Sequence, residues 1–248
     1  MTIASVTPQR ERCDGPTMPG LGETSRARHI VATLGGRFSL ELGIDVDRDT
    51  REIDRWALAA TLIGEPSPMS VAVHAYRALE RAGIETLADV RVCDREQLVC
   101  ALDEGGFLLC DESTALELLA LAAAIGDRYP GGLAPLGEEI QEPFELEREL
   151  CALPGWEAAT VRTFLRELRG VWSGADVPLD GRASLAARHV ALPSDLDGLS
   201  ALAAAAHLDF RDLEGALIRL ALSHDPAQCP GGEECPLAEA DPEQFVHF

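Results

Sequence analysis

The sequence predicts an all-α fold, and three observations carry the prediction. Apolar residues recur at helical spacing, as in Ile53, Trp56, Ala57, Ala60 and Ile63. Gly- and Pro-rich breaks such as Gly64-Glu-Pro-Ser-Pro68 and Pro130-Gly-Gly132 separate these stretches. No run of alternating β-branched residues marks a strand, so helices must pack on helices.

Taken in order, residues 1–21 hold Pro, Gly, Arg and Thr with little to bury, and they read as disordered. Asp49-x-x-Glu52 reads as an N-cap signature for a helix over Ile53–Ile63. A second helix is expected over Ser70–Ala82, ending at Gly83, and Asp94-x-x-Gln97 is expected to cap a third that ends near Gly105-Gly106. Ser113–Arg128 and Phe144–Ala152 follow, then the turn Leu153-Pro-Gly-Trp156 and a helix over Glu157–Arg169. After a Gly- and Pro-rich connection, Asp180 opens a helix toward His189. Ser194-x-x-Asp197 is expected to cap Leu196–His207, and Phe210–Ser223 is the last helix.

Composition narrows the setting. A chain of 248 residues has room for one large domain or two small ones. The largest apolar stretches, Ala115–Ile125 and Leu199–Leu208, fall short of the roughly 18 to 20 residues of a bilayer span. The N-terminal stretch lacks the apolar segment of a secretory signal, and seven cysteines make an odd count without a dense framework. A reducing, cytoplasmic setting is the expectation. Cys93, Cys100, Cys110 and Cys151 sit beside apolar residues and read as small buried hydrophobes. The net charge is −21, every basic residue is Arg, and neither Lys nor Asn occurs. Coding in a GC-rich genome explains the missing residue types, and a salt-rich cytoplasm would add the acidic excess. Without Lys, no side-chain amine can form a Schiff base.

Helix, Leu153-Pro-Gly-Trp156, helix is a hairpin, and some ten residues beyond it comes Leu179-Asp180-Gly-Arg-Ala-Ser-Leu-Ala-Ala-Arg188. Upstream lies Trp56–Ile63, a polar turn and Ser70–Ala82. Downstream lies Leu213-Glu-Gly-Ala-Leu-Ile-Arg219, then Cys229 and Cys235-Pro-Leu237. In this order the pieces, over roughly Arg51 to Leu237, resemble the endonuclease III-like DNA glycosylases, the helix-hairpin-helix (HhH-GPD) superfamily.

The resemblance implies a two-lobed helical HhH-GPD fold. Residues 51–170 would form a six-helix barrel ending in the hairpin. Residues 22–50 and 171–248 would form the second lobe, with the pocket between the two. It implies Asp180 as the catalytic carboxylate, stabilising positive charge on the sugar as a flipped base departs. It implies DNA contacts from Leu153, Gly155, Trp156, Thr160 and Arg162 at the hairpin, where backbone N–H groups at a helix start meet a phosphate. Glu65, in the turn after the first barrel helix, would face the base. Double-stranded DNA is then the partner, bound by a monomer, and the activity is monofunctional base excision in DNA repair. Asp180 reads equally as a plain N-cap. Arg162, Arg166 and Arg169 share a helix face and either meet phosphates or pair with Glu145, Glu149 and Glu167.

The chain departs from the family pattern at defined positions. Ala159 occupies the place of the Lys of the bifunctional enzymes, and Glu157 replaces the second hairpin Gly. Of the four cluster cysteines only the Cys229-x5-Cys235 pair remains, so a four-thiolate iron–sulfur cluster cannot form. His224 with the two cysteines leaves a zinc site one ligand short, and no metal or cofactor is expected. The alternative reading is a non-catalytic HhH-GPD domain that binds DNA or a protein partner.

Overall fold

The computed structural model describes residues 20–64, 69–107, 111–225 and 228–237. The stretch expected to be disordered lies almost wholly outside the described residues, as do Glu65 and Cys110. The described residues form helices joined by short turns, with no strand among them.

The chain begins with α1 (Leu21–Leu34) and the single turn α2 (Phe38–Glu41). Next come α3 (Thr50–Gly64), α4 (Met69–Arg81), α5 (Leu87–Val92), α6 (Arg95–Glu104) and α7 (Asp111–Arg128). A turn of helix, α8 (Leu136–Glu139), leads to α9 (Pro143–Cys151) and α10 (Ala158–Glu167). The series closes with α11 (Gly181–His189), α12 (Leu196–Ala205) and α13 (Phe210–Ser223).

Local chemistry explains most boundaries. Asp49 Oδ1 accepts the Glu52 N–H at 3.1 Å at the start of α3, which satisfies one orphan donor of the first turn. Thr86 and Asp89 form a reciprocal capping box on α5, a helix the sequence reading missed because it is only six residues long. Two caps differ from expectation. The Asp94 side chain makes no cap hydrogen bond on α6, and α12 is capped by Asp195, whose Oδ1 accepts from Gly198 N–H at 2.8 Å, rather than by Ser194. Helix α1 also went unseen, because its apolar face is sparse: Ala27 and Ile30 are its buried aliphatics.

The main helix contacts fall into two sets. Helices α3 to α7 pack on one another, with α10 on α3 and α9 on α10. Helix α1 packs with α12 and α13, and α13 also packs with α11 and α12. One contiguous apolar core runs through both sets, with Trp56, Tyr76 and Phe164 among its largest fully buried side chains. Polar links join the sets at the end of α10. The buried Glu167 carboxylate accepts the Phe38 N–H at 2.9 Å and the Ser39 hydroxyl at 2.8 Å, and Arg211 donates to the Glu167 carbonyl at 3.0 Å.

Cys100 and Cys151 are exposed and Cys93 is half-buried, contrary to the reading of these thiols as core. On α6 the inward face belongs to Leu98, Ala101 and Leu102, and on α9 to Leu146 and Leu150. Apolar neighbours in sequence do not put a residue on the inward face of a helix.

Candidate functional site

The hairpin between α9 and α10 is held from inside. Leu153 and Trp156 are 3% and 2% exposed, and Thr160 is also buried. The Trp156 indole N–H donates to Thr61 Oγ1 on α3 at 2.9 Å, and its ring lies 5.0 Å from that of Phe164. The side chains of Leu153, Trp156 and Thr160 therefore anchor the turn from inside, so any contact these residues make with DNA falls to their backbone. A buried indole needs a partner for its N–H, and Thr61 supplies it. What the turn offers to solvent is backbone. Gly155 sits at φ +75°, a left-handed conformation that glycine adopts freely, in open space. Glu157 precedes α10 in extended conformation, is exposed, and makes no side-chain cap, so the first-turn N–H groups of α10 are left uncapped by it.

One turn further along α10, its side chains reach a pocket of ≈ 180 Å³ shared with the start of α11. Ala159, Arg162 and Arg166 line it from α10, Val177 to Arg182 from the connection and the start of α11, and Glu214 from α13. Three arginines and two acidic residues are thus among its lining, with Arg182 paired to Asp180 and Arg162 to Glu147.

Asp180 is the N-cap of α11. Its Oδ1 accepts the Arg182 N–H at 2.8 Å, and the Arg182 guanidinium lies 3.3 Å from Oδ2. Its own N–H donates to Glu214 Oε1 at 3.1 Å. Burial alone would raise its pKa, but the Arg182 hydrogen bonds and the charges of Arg182 and Arg166 outweigh that and hold it below the ordinary value. Asp180 is therefore an anion at neutral pH.

The three arginines at i, i+4 and i+7 have separate fates. Arg162 is exposed and pairs with Glu147 at 2.9 Å, a partner absent from the expected set. Arg169 is half-buried and pairs with Glu214 at 3.3 Å and with Asp176 at 3.5 Å. Arg166 is 5% exposed, with its guanidinium 5.3 Å from the centre of the Phe38 ring. It makes no hydrogen bond or ion pair among the described residues, and its Nε is buried without a partner. Burying such a group without a partner costs stability.

A second cluster lies at the far end of α11. His189 ends that helix, His224 follows α13, and Cys229 and Cys235 lie on the segment beyond. The fold adds His189 to the three candidate ligands read from the sequence. That histidine is 35 residues from His224, so local spacing gave no signal of it. Compared with protein-family models, curated proteins and solved structures, the chain matches none.

Proposed function

We propose that this chain is a two-lobed helix-hairpin-helix protein of the HhH-GPD type that excises a damaged or mispaired base from DNA without cutting the strand. The single observation that carries the reading is the pocket itself. Ala159 and Asp180 were matched to the family's two chemical positions from separate motifs, and both line one cavity between α10 and α11. The grouping of α3 to α7, α9 and α10 apart from α1 and α11 to α13 supports a two-lobed reading.

In this reading Arg162, Arg166 and Arg182 draw a phosphate toward the pocket, and the Gly155 turn lets a second phosphate approach α10. The target nucleotide leaves the stack. As the C1′–N bond breaks, its electron pair leaves with the base, and the Asp180 carboxylate opposes the positive charge left on the sugar. A water oxygen then bonds C1′ and loses a proton. With Ala159 in place of an amine, no covalent imine forms and the strand stays intact.

One observation favours the second reading, a binding domain without catalysis. The Asp180 carboxylate is already engaged by the Arg182 backbone and side chain, as an N-cap is. Single-turnover base release from a panel of single-lesion duplexes separates the two. In the enzyme reading, Asp180→Asn keeps the cap, since Asn caps as well as Asp. It lowers base release by a factor on the order of 10² or more, the loss seen on removing one electrostatic stabiliser. Wild-type protein that releases no base, or an Asn variant as active as wild type, leaves Asp180 as a cap only.

A further inference from the structure

We propose that His189, His224, Cys229 and Cys235 form a structural zinc site that clamps the end of α11 to the segment after α13. The four ligand atoms, one from each residue, lie within 4.8 Å of one another. His189 Nε2 and His224 Nε2 are 3.1 Å apart, and His224 Nε2 is 3.7 Å from Cys235 Sγ. Zinc–nitrogen and zinc–sulfur bonds of about 2.0 and 2.3 Å in a tetrahedron give edges of roughly 3.3 Å for N···N and 3.6 Å for N···S. The two separations fit such a tetrahedron with little movement.

The chain around the cluster is shaped to this purpose. Between the cysteines, Gly231 and Gly232 adopt φ +74° and +60°, and a short 3-10 turn over Gly232–Glu234 delivers Cys235 into the interior. A Cβ on Gly231 would lie 3.2 Å from the His189 carbonyl oxygen and 3.3 Å from its ring, so the loop passes directly against that histidine. Cys235 is fully buried, and Cys229 packs on the core.

The ligand set selects the ion. Two thiolates and two imidazoles in tetrahedral array suit zinc, and four protein ligands close the site against catalytic water. A two-iron cluster of mixed ligation would place the histidines on one iron and the cysteines on the other. The short His224–Cys235 separation fits a single ion instead. The site also has a structural role to fill. At the opposite end of α11, Glu214 of α13 holds the Asp180 N–H, and a metal at His189 and His224 would hold the same two helices together a second time. This inference is independent of the DNA reading.

The test is metal analysis of the reduced, full-length chain, followed by removal of the ion with a chelator and titration with Co²⁺. About one zinc per chain is expected. Co²⁺ should give tetrahedral visible bands with sulfur-to-cobalt charge transfer in the near ultraviolet. Zinc should raise the melting temperature of the stripped protein. His189→Ala and Cys235→Ser should each weaken Co²⁺ binding by more than the roughly 10- to 100-fold that follows loss of an outer-shell partner. Far-UV circular dichroism checks that each variant is folded, and Cys229→Ser, which removes a ligand from the less buried part of the loop, should weaken Co²⁺ binding likewise. Cys93→Ser, remote from the cluster in sequence, should bind as wild type. Iron–sulfur absorbance in the purified protein, no stoichiometric metal with no thiolate–cobalt band, or a folded His189→Ala that binds as wild type would overturn the proposal.

Discussion

The buried carboxylate of Glu214 accepts the backbone N–H of Asp180 at 3.1 Å and faces the Arg169 guanidinium at 3.3 Å. One side chain of α13 thus fixes the start of α11 and neutralises a cation at the end of the hairpin lobe. Glu214→Ala removes the acceptor of the Asp180 N–H and leaves Arg169 with Asp176 alone. Because Arg169 is half-buried and keeps Asp176, the loss should fall below the about 3 to 5 kcal/mol of breaking a fully buried pair, hence below roughly 6 to 20 °C in melting temperature at this chain length. Glu214→Gln keeps an acceptor for Asp180 and should lose distinctly less. Equal melting temperatures for wild type and the Ala variant would show that the contact contributes nothing to the fold.

Asp180 has a depressed pKa, so its protonation sets an acid limit below the usual carboxylate range. The sign for stability follows. A lowered folded-state pKa adds stability above the unfolded value of about 3.9, and that stability is lost as pH falls through the folded value. Base release should therefore stay flat from neutral pH down to about pH 5, well above the unfolded value. Arg182→Ala keeps the backbone N–H bond but removes the side-chain hydrogen bonds and the charge that help hold the pKa down, so it rises in the direction burial favours and the acid limb of the rate profile moves upward. A pH–rate profile for the two proteins decides the matter, and an unmoved acid limb in the variant would separate Asp180 from the rate.

Periodicity and caps make most of the longer helices from Thr50 onward legible, because Ile53, Trp56 and Ala60 on α3 and the Asp180 cap of α11 are local signals, whereas the short α5 and α8 leave too few residues for a periodic signal. The hairpin was legible as a turn, but its polarity was not. The sequence leaves open which way the Trp156 ring points, and only the packing of α3 places Thr61 opposite its indole N–H. Arg166 lies one turn from exposed Arg162, yet packing buries it under Phe38 of α2, and Arg169, just past α10, is half-buried against Glu214 of α13. His189 joins the cysteines only because α11 and α13 pack side by side. Each failure concerns a long-range contact that helical spacing does not encode.

The acidic surface makes a prediction about salt. At a net charge of −21, screening by salt relieves self-repulsion, and the melting temperature should rise across a series from low to molar salt. If the protein contacts DNA phosphates as proposed, DNA affinity should fall over the same series, because those contacts release counterions. A flat or falling melting temperature would leave codon usage as the whole account of the composition.

Arg166 is where stability and binding should part company. Its guanidinium is nearly buried, has an unpartnered Nε, and lies against Phe38 at 5.3 Å while lining the Asp180 pocket. Cation–π contact offsets part of the desolvation, but an ion pair is missing. A phosphate in the pocket would supply that missing partner. Arg166→Met keeps the length and apolar stem of the side chain and removes the charge. The free protein should melt at the same temperature or a few degrees higher, as replacement of poorly compensated buried charge by a hydrophobe of similar volume does. DNA affinity should fall, and the slope of log K against log salt should shrink by about one, the signature of one lost phosphate contact. Arg162→Met, at an exposed residue already paired with Glu147, provides the comparison and should leave melting within about 0.5 kcal/mol of wild type. If Arg166→Met lowers the melting temperature and leaves the salt slope unchanged, the guanidinium serves its stack on Phe38 and the pocket is not a phosphate site.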